Sequence, residues 1–139
     1  MSDPIPPRNP TMAVAATALR AQQSRMRIIA ENIANAQSTA STPGGAPYRR
    51  QMPVFRAQEV DGSTGVALAE VRADQSPFRL EYDPSHPAAN AQGYVERPNV
   101  DTLVEAMDMR EAQRAYEANL NVIETARAME QRTLDLLKK

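Results

Sequence analysis

The sequence predicts a mainly α-helical protein in which long N- and C-terminal helices pair as a coiled-coil-like inner domain, with a short irregular or β-rich middle segment. All 11 prolines lie at positions 4–10 or 43–98, and all 5 glycines lie between positions 44 and 93. The two remaining stretches are rich in Ala, Leu, Met, Arg, Gln and Glu, which lose little side-chain freedom in a helix. The expected division is a flexible N-terminal segment 1–10, a helix 11–37, a loop and β-rich outer segment 38–98, and a helix 99–139.

The first helix carries a heptad pattern. Two sets of residues recur every seven positions as the a and d seam of a coiled coil: Met12, Leu19, Met26 and Ile33, then Ala15, Gln22, Ile29 and Ala36. We therefore expect one narrow apolar stripe along this helix. Asn9 is the expected N-cap with Pro10 at the first helical position, and the run rich in Ser, Thr, Gly and Pro at 38–47 should end the helix.

The second helix should begin after Pro98, where Asn99 and Asp101 are possible caps and Thr102 with Glu105 has the spacing of a capping box. A helix from there to residue 137 would be about 55 Å long. Two helices of this length carry more apolar surface than a monomer of 139 residues can bury, which predicts assembly. Several residues recur at helical spacing along this second helix: Met109, Ala112, Tyr116, Leu120, Ile123, Ala126, Leu134 and Leu137.

The middle segment alternates as a strand does. Phe78, Leu80 and Tyr82 are separated by charged residues, the pattern of a half-buried strand. Shorter strands are expected around positions 52–55 and 66–71, on either side of the turn-like Asp61-Gly62-Ser63. Pro53 and Pro77 should confine these strands to edges or ends, because proline cannot donate to a ladder.

Composition excludes several classes of function. The formal charge is −1, with no cysteine and one histidine, so neither bulk attraction to nucleic acid nor a thiolate or multi-imidazole metal site is expected. No apolar run is long enough to insert directly into a membrane, and the N-terminus lacks the pattern of a secretory signal. Asp83, Ser85 and His86 are interpreted as a proline-bracketed turn in which Asp83 caps local N–H groups and His86 is exposed, so we expect no catalytic, cofactor or metal residues.

Four stretches resemble the axial proteins of the bacterial flagellum, in particular their proximal-rod type. They are ENIANAQSTASTPGGAPYRRQ at 31–51, YDPSHPAANAQGYVERPNVD at 82–101, RAYEANLNVIETARAM at 114–129 and TLDLLKK at 133–139. The resemblance implies an inner domain of paired terminal helices and an outer middle segment. It also implies export through the flagellar type III apparatus and helical assembly with other rod proteins and with itself, in the periplasmic rod of the basal body. The family has no catalytic or cofactor residues to transfer.

A set of side chains is expected to mediate assembly, through the helix seam, through register-fixing amides and through contacts of the outer segment. Asn32 and Asn35 have two open interpretations: they satisfy carbonyls where the first helix frays, or they form a network between subunits. Two rival functions are a soluble helical-hairpin adaptor dimer that binds a partner helix through its methionines, and a distal-rod paralogue. The expected interface consists of Leu19, Met26, Ile29, Asn32, Ile33, Asn35, Arg49, Arg50, Tyr94, Tyr116, Asn119, Leu120 and Ile123.

Overall fold

The computed structural model describes residues 10–138, which form two long helices with a β-rich segment between them. The predicted fold class is confirmed at this level, whereas the expectations for Asn9 and for segment 1–9 lie outside the described residues. The elements in chain order are α1 (Pro10–Ala34), β1 (Gln51–Val60), β2 (Ser63–Ala73), β3 (Arg79–Tyr82), β4 (Tyr94–Arg97) and α2 (Thr102–Leu137).

The two helices run antiparallel. Arg25 Nη2 lies 3.5 Å from Glu111 Oε2, and Asn32 near the end of α1 contacts Glu105 near the start of α2. At 1.5 Å per residue α1 is about 38 Å long and α2 about 54 Å, so α2 extends past the start of α1. The first helix ends earlier than the predicted residue 37, because the Ala36 N–H bonds the Ile33 carbonyl three residues back and tightens the chain into a turn.

α1 packs against two neighbours, α2 and the β1–β2 hairpin. Thr17 and Ala21 are buried and line a space shared with Val66 and Leu68 of β2, whereas Ile33 of the predicted seam is 38% exposed. The expectation of one narrow stripe is therefore wrong, because the hairpin covers a second face of α1.

The β1–β2 hairpin has the turn that the sequence predicted. Asp61 and Gly62 both have positive φ, at 49° and 80°, and Val60 pairs with Ser63, which is the two-residue connection that favours Asp-Gly. This sheet has two strands, so Pro53 lies in an edge strand, as expected. The register shifts between Val54 and Phe55, which marks a bulge or irregularity in β1.

β3 and β4 form a second antiparallel ribbon, in which Tyr82 pairs with Tyr94. A strand was predicted here, but its half-burial was wrong because all four residues of β3 are exposed. Val95 of β4 is 0% exposed and supplies the buried side of the ribbon instead. Gly93 precedes β4 at φ +87°, and a Cβ at this position would lie 2.9 Å from Cε2 of Tyr82, so the turn favours glycine.

Candidate assembly interface

The start of α2 is capped by Asp101, whose Oδ1 accepts from the N–H groups of Leu103 at 3.0 Å and Val104 at 3.4 Å. Asp101 was one of the two predicted caps. The predicted capping box is wrong, because Asp101 is the cap and Glu105 turns into the protein, where it is 1% exposed. Asn99 does not cap the helix either: its Oδ1 accepts from the Arg50 N–H at 2.7 Å.

Glu105 belongs to a partly buried polar cluster, here called the junction, that consists of Asn32, Tyr48, Arg50, Asp74 and Glu105. Arg50 Nε donates to Glu105 Oε1, and Arg50 Nη1 lies 3.3 Å from Asp74 Oδ2. A third carboxylate, that of Asp108, lies 3.7 Å from Arg50 Nη2. One guanidinium therefore joins the base of the β1–β2 hairpin to the first two turns of α2.

Asn32 closes the junction from α1. Its Oδ1 accepts from the Gln51 N–H at 2.9 Å and from the Tyr48 hydroxyl at 2.7 Å. Its Nδ2 donates to the Gln51 carbonyl at 2.9 Å and to Glu105 Oε2 at 3.4 Å. The amide thus pairs with the main chain of β1 on both sides, as a neighbouring strand residue does. Asn35, by contrast, donates to the Glu31 carbonyl at 2.8 Å and satisfies a helix-end carbonyl.

The junction shifts the protonation equilibria of three of its members. The Ser76 N–H that donates to Asp74 lowers the pKa of Asp74, and Arg50 lowers it further. Burial lowers the pKa of Arg50, but the hydrogen bonds and charges of Glu105 and Asp74 outweigh burial and raise it overall. Burial, with the negative charges of Glu31 and Glu105, raises the pKa of Tyr48. The fold therefore holds Arg50 and Asp74 charged and Tyr48 neutral.

Arg49, the residue before Arg50, contacts the segment that follows β2. Its Nη1 donates to the carbonyls of Asp74 at 2.8 Å and Ser76 at 3.1 Å, and its guanidinium lies 4.2 Å from the centroid of the Phe78 ring. Arg49 and Arg50 are thus both engaged within the chain. Sequence reasoning assigned them to contacts of the outer segment, gave Asn99 and Glu105 roles in capping α2, and missed Tyr48 and Asp74.

The remaining predicted interface residues fall into two groups. The half-buried or buried group lies along the helices: Leu19, Met26, Ile29, Tyr116, Asn119 and Ile123. Within this group, Asn119 Nδ2 donates to the Ala115 carbonyl one turn earlier at 2.8 Å. The exposed group consists of Ile33, Leu120 and Tyr94.

α2 carries exposed apolar residues along the border of its contact with α1, where Val122 and Met129 line open grooves together with residues of α1. Ala115, Val122, Met129 and Leu136 recur every seven residues, and the last three are exposed, Met129 at 62% and Leu136 at 72%. Leu134 and Leu137 are exposed as well, beyond the start of α1. This second stripe, defined by Val122, Met129 and Leu136, leaves three large apolar side chains exposed at heptad spacing along α2.

The Asp83 to His86 turn has no catalytic geometry. The Ser85 hydroxyl donates to Asp83 Oδ1 at 2.9 Å, so this carboxylate oxygen binds a hydroxyl and not the predicted N–H groups. His86 Nδ1 accepts from the Ala88 N–H at 3.0 Å, and the ring is half-buried where exposure was expected. The turn structure itself is as predicted. Neither helix in the part of the chain at 10–138 is both long enough and apolar enough to cross a membrane.

Two family models match the helical ends of the chain. A model described as flagella basal body rod protein matches residues 12–44, and one described as flagellar basal body rod FlgEFG protein C-terminal matches residues 91–136. With the paired helices and the exposed stripe, these matches define the class: a structural protein of the flagellar rod.

Curated relatives narrow the class to one type. The flagellar basal-body rod protein FlgC of Agrobacterium fabrum is 46% identical over 95% of this chain and 96% of its own length. The FlgC proteins of Escherichia coli O6:H1 and Bacillus subtilis are 41% and 36% identical, over 88% and 92% of this chain and 92% and 97% of their own lengths. The chain belongs to the FlgC family of flagellar basal-body rod proteins, which confirms the resemblance seen in the sequence motifs.

Proposed function

We propose that the chain is a structural subunit of the proximal rod of the flagellar basal body, the hollow shaft that transmits torque and conducts exported subunits. Family membership supports the rod assignment, and the exposed second stripe of α2 is the single observation that carries helical assembly. A monomer that leaves three large apolar residues exposed on one helix face gains stability when neighbouring subunits bury them.

The helices supply the wall of this shaft. α1 and α2 act as a coiled-coil-like inner domain within the segments 11–37 and 99–139, with segment 38–98 outside it. α2 has one face on α1 and the second stripe on a neighbour, and contacts of this heterologous kind extend without closing. Partners are other rod proteins and further copies of the chain. The residues proposed to support assembly, either by direct contact or by fixing the shape of the subunit, are Leu19, Met26, Ile29, Asn32, Ile33, Asn35, Arg49, Arg50, Tyr94, Tyr116, Asn119, Leu120 and Ile123.

The junction gives these residues distinct tasks. Asn32 and Arg50 act within the subunit, because their polar groups are bonded to Gln51, Glu105 and Asp74. They hold the hairpin at a fixed angle to both helices, which sets the position of the outer segment on its neighbours. Leu120, at 37% exposure, and Tyr94, at 42%, remain available for direct contacts.

Family membership supports a location in the flagellar basal body, and the route and the finer location are part of the proposal. The chain is proposed as a substrate of the flagellar type III export apparatus that folds at the growing tip, in the periplasmic part of the basal body. A fold with no disulfide to form suits a chain that is delivered unfolded. Catalysis and cofactors have no part in this function.

The first experiment is to tag the full chain at a tolerated site, purify detergent-resistant basal bodies and measure retention of the protein. Retention near the membrane-proximal end of the rod supports the proposal. Absence from basal bodies, together with a compact dimer in the cytoplasm, contradicts it and favours the adaptor function.

Single substitutions then test the helix contacts. Leu120→Asp places a charge at the border of the predicted helix seam, and Met129→Asp places one in the second stripe. We therefore expect each variant to lose motility and retention in basal bodies. The matched control is Gln58→Asp, on an exposed residue of β1, which should leave both unchanged. Normal rods and motility with Leu120→Asp and Met129→Asp would overturn the helix-wall arrangement.

A further inference from the structure

The β3–β4 ribbon has a solvent-exposed apolar face. Leu80 and Tyr82 lie on one side of β3, opposite Glu96 and Tyr94 of β4, because alternate residues share a face and these residues are paired across the ribbon. Leu80 is 63% exposed, Tyr82 65% and Tyr94 42%. This face, defined by Leu80, Tyr82, Tyr94 and Glu96, is here called the ribbon patch.

The ribbon patch is held rigidly and points away from α1. The opposite face of the ribbon carries the buried Val95, and its two arginines bond the turn that follows α1: Arg97 Nη1 donates to the Gln37 carbonyl at 3.0 Å and Arg79 Nη2 to the Ala36 carbonyl at 3.3 Å. The rings of Tyr82 and Tyr94 meet edge to face with centroids 5.3 Å apart. A surface ordered in this way loses little conformational freedom on binding.

A second exposed face lies at the start of α2. Leu103 and Met107 are 69% and 63% exposed. Each is two residues from the buried Glu105, hence about 200° around the helix from the junction. Arg110 follows on the same side at the i, i+7 position from Leu103, is exposed, and forms no ion pair with the residues described. This face, defined by Leu103, Met107 and Arg110, is here called the helix patch.

The two patches are complementary in chemistry. The ribbon patch offers two aromatic rings and a leucine beside the carboxylate of Glu96, which has no ion pair within residues 10–138. The helix patch offers a leucine and a methionine beside a guanidinium. Methionine sulfur packs favourably on aromatic rings, and arginine binds both carboxylates and aromatic faces.

We propose that the ribbon patch of one copy of the chain docks on the helix patch of a second copy. Tyr82 and Tyr94 pack on Leu103 and Met107, and Glu96 pairs with Arg110. Each copy carries both patches on different faces, so the contact is heterologous and a third copy can add in the same way. This inference rests on the proposed assembly into a rod and assigns one lateral contact within it.

Cross-linking in assembled rods tests the contact, and the absence of native cysteine makes the test clean. Leu80→Cys and Met107→Cys are introduced together in the full chain, and purified basal bodies are treated with a short bis-maleimide. We expect a ladder of multimers of this chain. The control pair, Leu80→Cys with the exposed Thr125→Cys, should give no ladder.

Charge reversal provides a second, independent test. Glu96→Arg and Arg110→Glu should each reduce the amount of protein retained in basal bodies several-fold, and the double variant should restore retention. Glu96→Arg combined with Arg132→Glu, which reverses another exposed arginine of α2, should give no recovery. Rods that retain the chain but give no ladder and no charge rescue overturn this contact and leave the rod function standing. Cross-links from Leu80→Cys to a different basal-body protein overturn it too, because they assign the ribbon patch to another occupant.

Discussion

Glu105 and Arg50 lie 55 residues apart in the chain and form an ion pair in which the carboxylate side chain is 1% exposed. The pair joins the first turns of α2 to the strand that follows the long loop after α1. Because the Glu105 carboxylate is withdrawn from water, it depends on Arg50 for solvation, whereas Arg50 is 23% exposed and also pairs with Asp74 and Asp108. The Arg50–Glu105 contact therefore ties the base of the hairpin to α2, and Asn32 adds a link to α1.

Removing the carboxylate from this pair should destabilise the fold strongly. Glu105→Ala removes the buried partner of Arg50, which keeps Asp74 and Asp108, and it also removes the acceptor for Asn32 Nδ2, so we expect a loss of about 1–3 kcal/mol in the free energy of unfolding. Urea unfolding of the purified full chain, followed by circular dichroism, measures this loss. Glu70→Gln breaks the exposed Arg72–Glu70 pair and should change the free energy by less than about 1 kcal/mol. Equal losses for the two variants would show that the Arg50–Glu105 pair stabilises the fold no more than an exposed ion pair does.

The amide of Asn32 should matter more than that of Asn35. Asn32→Ala removes the acceptor for the Gln51 N–H and the Tyr48 hydroxyl, so we expect a loss of about 1–3 kcal/mol in the free energy of unfolding. Asn35→Ala removes one bond to a helix-end carbonyl in an exposed position and should cost about 0.5 kcal/mol or less. The same urea unfolding measurement compares the two variants. A larger loss for Asn35→Ala than for Asn32→Ala would contradict the role assigned to Asn32.

The sequence was most informative where local chemistry determines structure. Helix breakers located the two long helices, Asp61-Gly62 located a hairpin turn, and Asp101 was among the predicted caps. Each of these three predictions depends on residues that are close together in the chain. The resemblance in the motifs identified the family correctly for the same reason, because motifs are local strings.

The sequence was least informative where distant segments meet. Glu105 has the spacing of a capping-box residue, so its inward turn toward Arg50 could be known only after the hairpin was placed. The alternation of Phe78, Leu80 and Tyr82 predicted a half-buried strand. In the structure, the buried side of the ribbon is filled by Val95 of β4, a strand that was not predicted from the sequence. In both cases a local rule gave way to a tertiary contact between residues far apart in the chain.

Close approach of α1 to the hairpin should make Gly65 intolerant of substitution. A Cβ at Gly65 would lie 2.6 Å from Thr17 Oγ1 and 3.2 Å from a methyl carbon of Val60, so Gly65→Val forces α1 away from β2. It also displaces the Thr17 hydroxyl that accepts from the Val66 N–H at 3.2 Å. We expect the free energy of unfolding, measured by thermal unfolding, to fall by about 1–3 kcal/mol, as at other overpacked sites.

Two matched variants separate this clash from a general effect of strand substitution. Thr64→Val alters the exposed neighbouring residue and should be nearly neutral. Thr17→Ala combined with Gly65→Ala removes the nearest clashing atom, so the double variant should be more stable than Gly65→Ala combined with native Thr17. If Thr17→Ala worsens the Gly65→Ala variant, the clash with Thr17 is not the cause.

Acid should weaken the junction through Asp74. The fold lowers the pKa of Asp74 below the unfolded value of about 3.9, chiefly through the Ser76 N–H and further through Arg50. The stabilisation by this carboxylate is therefore present in full above that pH and is lost as the pH falls through the folded pKa. Asp74→Asn keeps an acceptor for Ser76 but loses the charge, so its deficit in the free energy of unfolding should be clear at pH 7 and should shrink at pH 2. Gln75→Ala removes no titratable group and should show the same difference from the native chain at both pH values. A deficit of Asp74→Asn that is equally large at pH 2 would mean that packing, and not ionisation, explains the contribution of Asp74.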